Sequence, residues 1–131
     1  MMDASKFVTG IQHIGVPTGD FEKTIRFYKS LGFSVALRTE DPANGKKVAF
    51  LQLKNLTIET YESDAPAGRP GAIDHVALDV SDIDETFRVI QAGGYELLDQ
   101  AVQFLPFWER GVRFFTILGP NGEKIEFSPM R

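Results

Sequence analysis

"IDHVAL", residues 73–78, repeats a phrase that the chain has already used at residues 11–16, "IQHIGV". His75 of this phrase and His13 of the earlier copy are the only two histidines in the protein. Sliding the sequence by 62 places Ile11 on Ile73, His13 on His75, Asp20 on Asp82, Thr24 on Thr86, Arg26 on Arg88 and Gly32 on Gly94. Further on, with an offset of 67, "LTIE" (56–59) lies against "EKIE" (123–126). Similarity of this kind marks a duplicated structural unit, and two copies are too few for a solenoid. They predict paired modules about a pseudo-twofold axis.

Each copy reads the same way. The histidine phrase is short and β-rich, hence a strand. The turn residues "PTGD" or "DVSD" follow, and then apolar residues at helical spacing: Phe21, Ile25 and Tyr28, or Ile83, Phe87 and Ile90. Thr18 or Asp20 is placed to cap the first helix, and Ser81 with Asp84 has capping-box spacing for the second. Gly32 and Gly93–Gly94 stand where the helices should stop. Further strands are predicted at about 34–39, 47–53 and 56–62, and again at about 96–103, 112–118 and 123–128. The fold class is therefore α+β: a single domain, residues 1–131, of tandem βαβββ modules. The modules cover about 10–63 and 72–128, and the Pro/Gly-rich stretch "DAPAGRPG" (64–71) links them.

Strand parity then sorts the polar residues. Side chains alternate faces along a strand. Ile14 and Val16 oppose His13, and Val76 and Leu78 oppose His75. On the last strands Ile58 and Thr60 oppose Glu59, and Ile125 and Phe127 oppose Glu126. Each module thus offers one His and one Glu on the face expected to be free of helix. A lone histidine is usually a hydrogen-bonded side chain, but a symmetry-matched His/Glu quartet is a different matter. Carboxylates on a sheet face need water or a cation. Two imidazoles with two carboxylates form a borderline-to-hard set suited to Ni, Co, Zn, Mn or Fe as a divalent ion.

Composition narrows the function. With 14 basic and 18 acidic residues and no basic run, nucleic acid is not an expected partner. The chain has no cysteine, which excludes disulfides, thiolate ligands and a cysteine nucleophile. "MMDASKFVTG" does not read as a secretory signal, and no apolar run approaches the ~20 residues of a membrane helix. A cytoplasmic protein with a small-molecule substrate and no membrane partner is expected.

"IQHIGV", "FEKTIRFYKSLGF", "LTIETYE", "IDHVALDVSDID" and "GPNGEKIEF" together resemble the vicinal oxygen chelate superfamily. This is the glyoxalase, bleomycin-resistance and extradiol-dioxygenase group, and the resemblance covers about residues 10–128. It implies the glyoxalase-like fold, with the paired modules forming a half-open barrel around one divalent metal ion per site, and a homodimer. Small bacterial glyoxalase I (lactoylglutathione lyase) is the nearest branch, because all four of its ligand positions are matched here by His13, Glu59, His75 and Glu126. Dioxygenases and fosfomycin-type thiol transferases in the group use three protein ligands, and the CoA-ester epimerases usually carry a Gln at one ligand position. The implied reaction converts a hemithioacetal of a 2-oxoaldehyde and a thiol to a 2-hydroxyacyl thioester. Glu126 is then the base, Glu59 the second candidate, and both histidines are ligands only. Pro17 and Ser63 replace an Arg and an Asn of the bacterial pattern, so the resemblance leaves the identity of the thiol open. A drug-binding protein of bleomycin-resistance type is the non-enzymatic alternative, although it has no need of the quartet.

Other candidate substrate contacts are Arg38, which reads first as an exposed strand arginine and second as a contact for an anionic group, and Arg110, which resembles the family's basic residue before a loop glycine. Phe107 and Trp108 belong to the apolar loop "FLPFW" (104–108), which reads as pocket lining, dimer interface or core packing. The acidic residues Asp79, Asp82, Asp84 and Glu85 lack EF-hand spacing and read as a solvated helix start.

Overall fold

The computed structural model of the chain describes residues 4–7 and 9–129. It divides into two compact units, Met1–Asp64 and Ala65–Arg131. In the first, a short 3-10 turn (Ala4–Lys6) precedes β1 (Ile14–Thr18), α1 (Phe21–Ser30), β2 (Ser34–Glu40), β3 (Lys47–Leu53) and β4 (Leu56–Glu62). The second has β5 (His75–Asp79), α2 (Ile83–Ala92), β6 (Glu96–Leu97), β7 (Gln103–Leu105), β8 (Val112–Leu118) and β9 (Lys124–Ser128). The sheet orders correspond: β1-β4-β3-β2 in one unit and β5-β9-β8-β6 in the other, with β7 also paired to β8. In both, the first strand lies parallel to the last and the remaining neighbours are antiparallel. Neither sheet closes on itself. Among the described residues no helix is long and apolar enough to cross a membrane.

The helices form where the apolar spacing places them. Asp20 caps α1 by accepting the Lys23 N–H at 3.1 Å, and Asp82 caps α2 by accepting the Glu85 N–H at 3.1 Å. The cap of α2 is therefore Asp82, the repeat partner of Asp20, and not Ser81. A side-chain oxygen one residue closer to the helix meets the free N–H groups of the first turn. Gly32 and Gly94 follow the helices at φ 106° and 77°, a region that favours glycine.

Phe21, Ile25 and Tyr28 of α1 are buried over Ala49, Leu51 and Ile58 of the first sheet, with Phe33 beside Tyr28. Ile83 and Ile90 of α2 are buried with Phe115, Ile117, Ile125 and Phe127 of the second. Phe115 joins two other rings: Phe87 meets it edge-on at 5.0 Å and Phe127 stacks on it at 4.9 Å. Three buried threonines in the first unit find partners. Thr18 and Thr24 share a hydroxyl hydrogen bond of 2.9 Å, and Thr60 donates to the Val16 carbonyl at 2.9 Å.

Strand boundaries depart from the sequence reading in three places, the first being β5, which begins at His75 rather than Ile73 and takes Asp79 from the expected turn. β1 begins at Ile14, so His13 immediately precedes the strand, and Pro17 and Thr18 extend it into the expected turn. The strand expected at about 96–103 is two short pieces. Here the Asp99 carboxylate accepts the Thr116 N–H at 2.9 Å, which takes that donor from the ladder.

The helices are also tied to the sheets by ion pairs. Arg38 on β2 reaches Glu22 in the first turn of α1 at 2.6 Å, and Arg113 on β8 reaches Asp84 in the first turn of α2 at 2.7 Å. These hydrogen bonds hold the Glu22 and Asp84 carboxyls below their ordinary pKa values.

Phe115→Ala should cost about 3–5 kcal/mol of stability in urea unfolding, since it empties the centre of the ring cluster. The two carboxylates favour their ionised form in the folded state. Their contribution is complete above the ordinary carboxylate pKa and is lost as pH falls through the lowered folded values. A Glu22→Gln, Asp84→Asn double variant should therefore lose a small increment at neutral pH and converge with the unmutated protein only at a pH below the lowered folded values. Urea midpoints at the two pH values measure this.

Candidate metal centre

The last strand of each sheet sets the geometry. Ile58 and Thr60 are buried, which turns Glu59 between them to the opposite face; Ile125 and Phe127 do the same for Glu126. In the parallel pairing Glu59 is the register partner of Gly15, and Glu126 of Ala77. Each carboxylate thus lies beside a residue with little or no side chain. Two residues before each of these stands the histidine.

The imidazoles reach the carboxylates. His13 Nε2 lies 3.3 Å from Glu59 Oε1, and His75 Nε2 lies 3.8 Å from Glu126 Oε1. In both cases the other ring nitrogen is engaged by the preceding residue. His13 Nδ1 is 2.9 Å from Gln12 Oε1, and His75 Nδ1 is 3.0 Å from Asp74 Oδ2. Asp74 Oδ1 in turn accepts from Lys124 Nζ at 3.4 Å. The hydrogen bond to His75, with the Lys124 contact, holds the Asp74 carboxyl below its ordinary pKa.

A neutral imidazole has one N–H. If Nδ1–H is given to Asp74, His75 Nε2 turns a lone pair toward the Glu126 carboxylate. Electron-rich atoms facing each other are stabilised by a cation between them, a proton or a metal ion, and imidazole with carboxylate is a donor pair of the type that divalent metals take. Among the described residues no group of three or more His, Asp or Glu side chains gathers at one point. The donors come as a pair in each unit.

The surroundings of the pairs differ. Phe50 is the register partner of Glu59, and its ring meets His13 edge-on at 5.7 Å. Thr116 is the corresponding partner of Glu126. Sequence reasoning passed over Gln12, Phe50, Asp74, Thr116 and Lys124. The position before each histidine in the repeated phrase was the available signal for Gln12 and Asp74. The cross-strand neighbours require the register.

Arg38, a candidate for an anionic substrate, is engaged with Glu22 and lies 5.3 Å from the Phe21 ring centroid, so an anion there competes with a carboxylate. Phe107 and Trp108 are 54% and 71% exposed, which places them outside the unit's core. Arg110 is in the exposed turn between β7 and β8. That turn holds Trp108 at φ 63° and Gly111 at φ 74°, where a Cβ would collide with the Phe104 ring.

Comparison with known proteins agrees with this plan. The family model described as Glyoxalase/Bleomycin resistance protein/Dioxygenase superfamily matches residues 10–127. The chain is 31% identical over 124 residues to the uncharacterized protein YwbC of Bacillus subtilis (strain 168), a match covering 89% of this chain and 94% of that protein. Among solved structures it resembles a glyoxalase family protein from Enterococcus faecalis (TM-score 0.79, 23% identity, 93% of this chain and 98% of that one). It also resembles the fosfomycin resistance protein FosX from Listeria monocytogenes, solved with Mn(II) and sulfate (TM-score 0.72, 19% identity, 95% of each chain). The duplicated βαβββ plan and the family match together make this chain a member of the glyoxalase/bleomycin resistance/dioxygenase superfamily, with the α+β glyoxalase-like fold.

Proposed function

We propose that the protein is a divalent-metal-dependent lyase of glyoxalase I type, isomerising a 2-oxoaldehyde–thiol hemithioacetal to a 2-hydroxyacyl thioester. The observation that carries this reading is the His/Glu pair in each unit, His13 with Glu59 and His75 with Glu126. Four protein donors suit this branch better than the three-ligand branches, in which Glu59 would be surplus. His13, Glu59, His75 and Glu126 would hold the ion, Ni or Zn first among Ni, Co, Zn, Mn and Fe. When bound, it supplies a Lewis acid for the substrate oxygens.

The chain's own work is proton transfer. Glu126 is the carboxylate proposed to take the proton from C1 and return it to C2, with Glu59 as the alternative. The hydroxyl proton moves from the oxygen on C1 to that on C2, so the reaction is an isomerisation with no external reductant or oxidant. The histidines stay as ligands. Phe107, Trp108 and Arg110 are proposed contacts for substrate, and Arg38 is a contact only for an anion able to displace Glu22.

A phosphonate-directed reading is supported by FosX, which has been solved with Mn(II) and, as a mutant, with 1S,2S-dihydroxypropylphosphonic acid. Turnover assays with a methylglyoxal–glutathione hemithioacetal, with other low-molecular-weight thiols, and with an epoxide phosphonate separate the readings. Metal analysis of protein purified without chelators should find one divalent ion per site. Glu126→Gln should lower kcat by about 10²-fold or more while retaining metal, because the amide keeps an oxygen donor and loses the base. His13→Ala should instead weaken metal binding and abolish the thermal stabilisation that metal gives. Unmutated protein that binds no divalent ion in calorimetry overturns the metal reading. Metal binding without hemithioacetal turnover overturns the lyase reading alone.

The active form is proposed to be a homodimer. β2 is exposed along its whole length, Val35 and Leu37 included, and Phe104, Phe107 and Trp108 are exposed as well. Open sheet edges and apolar surface of this kind are usually covered by a partner. Sedimentation at micromolar concentration should give twice the 14.6 kDa chain mass, and a monomer with metal bound would refute the dimer.

A further inference from the structure

We propose that Asp74 is a positioning residue that fixes His75 as the Nδ1–H tautomer and so presents Nε2 as its donor atom. The proposal rests on the metal reading for its purpose, but its geometry stands apart from it. A carboxylate only accepts hydrogen bonds when ionised. The 3.0 Å contact between Asp74 Oδ2 and His75 Nδ1 therefore puts the ring proton on Nδ1. Nε2, the nitrogen that faces Glu126 at 3.8 Å, is left with its lone pair.

The carboxylate is itself held. Its second oxygen accepts from Lys124 Nζ at 3.4 Å, and Lys124 is the register partner of His75 across β5 and β9. The aspartate is thus tied to the strand that carries Glu126 as well as to the one that carries His75. A ligating histidine whose other N–H meets a carboxylate is better oriented and more basic as a donor.

The repeat supplies an internal comparison. Gln12 occupies the matching place, 2.9 Å from His13 Nδ1. A neutral amide gives no charge assistance, and by rotation it offers either an oxygen or an N–H to the ring. Gln12 therefore constrains His13 less than Asp74 constrains His75. The two imidazoles are unequal: His75 is the anchored donor and His13 the adaptable one.

The test uses the whole chain. In metal-free protein at mildly alkaline pH, long-range ¹⁵N–¹H imidazole spectra should show His75 as the Nδ1–H tautomer. Asp74→Asn keeps an acceptor oxygen without the charge and should preserve it in part, whereas Asp74→Ala should shift the ring toward Nε2–H. Titration calorimetry with Ni(II) alone should show affinity falling about 10–100-fold in Asp74→Ala, partial rescue in Asp74→Asn, and a smaller loss in Gln12→Ala. An Nε2–H tautomer of His75 in the unmutated chain overturns the proposal. So does an unchanged tautomer and Ni(II) affinity in a folded Asp74→Ala protein. If the unmutated chain binds no Ni(II), the metal reading loses its support and the imidazole spectra alone decide the role of Asp74.

Discussion

The register of the last strand in each sheet governs the rest of the structure. β4 and β9 each bury two residues under a helix and turn the residue between them the other way. A slip of one position would put Glu59 or Glu126 into the apolar layer and bring Ile58 or Ile125 out of it. Burying an unpaired carboxylate is far more costly than losing a ladder hydrogen bond, so the register has a single solution. Once it is set, the parallel pairing of the first strand to the last places Gly15 and Ala77 beside the glutamates and the histidines within reach of them.

This explains which parts of the molecule were legible in the sequence. Alternation along β4 and β9 is a local property, so the face of Glu59 and Glu126 could be read from the residues on either side. The buried helix faces were equally plain, because Phe21, Ile25 and Tyr28 repeat at the helical period. The split between β6 and β7 was hidden because it depends on the Asp99 carboxylate meeting the Thr116 N–H, a contact across 17 positions. Asp82 in place of Ser81 as the cap turned on which oxygen faces the first turn. Arg38 read as a free cation because nothing in its neighbourhood shows that Glu22, 16 residues away, will face it.

The Arg38–Glu22 and Arg113–Asp84 pairs show how a repeated plan can be met with different residues. Glu22 and Asp84 occupy matching places at the helix starts, where a negative charge also suits the helix dipole. The arginines that meet them sit on different strands, β2 in one unit and β8 in the other. The common requirement is a cation from the sheet against the first turn of the helix, and each unit meets it from a different strand. Similarity between the copies is therefore closest in the backbone plan and loosest in the side chains that brace it.

The same looseness surrounds the His/Glu pairs, where it acquires chemical meaning. The pairs themselves are matched in residue type and in register. Their neighbours are not: Gln12 and Phe50 accompany His13 and Glu59, while Asp74, Lys124 and Thr116 accompany His75 and Glu126. In the proposed isomerisation the proton transfer from one carbon to the next has a direction, and two equivalent carboxylates cannot by themselves give it one. An imidazole held by a charged carboxylate and an imidazole held by a neutral amide are unequal donors, and a carboxylate beside a phenyl ring is solvated differently from one beside a hydroxyl. Duplication makes the two donor pairs alike, and the residues that differ around them distinguish one carboxylate from the other.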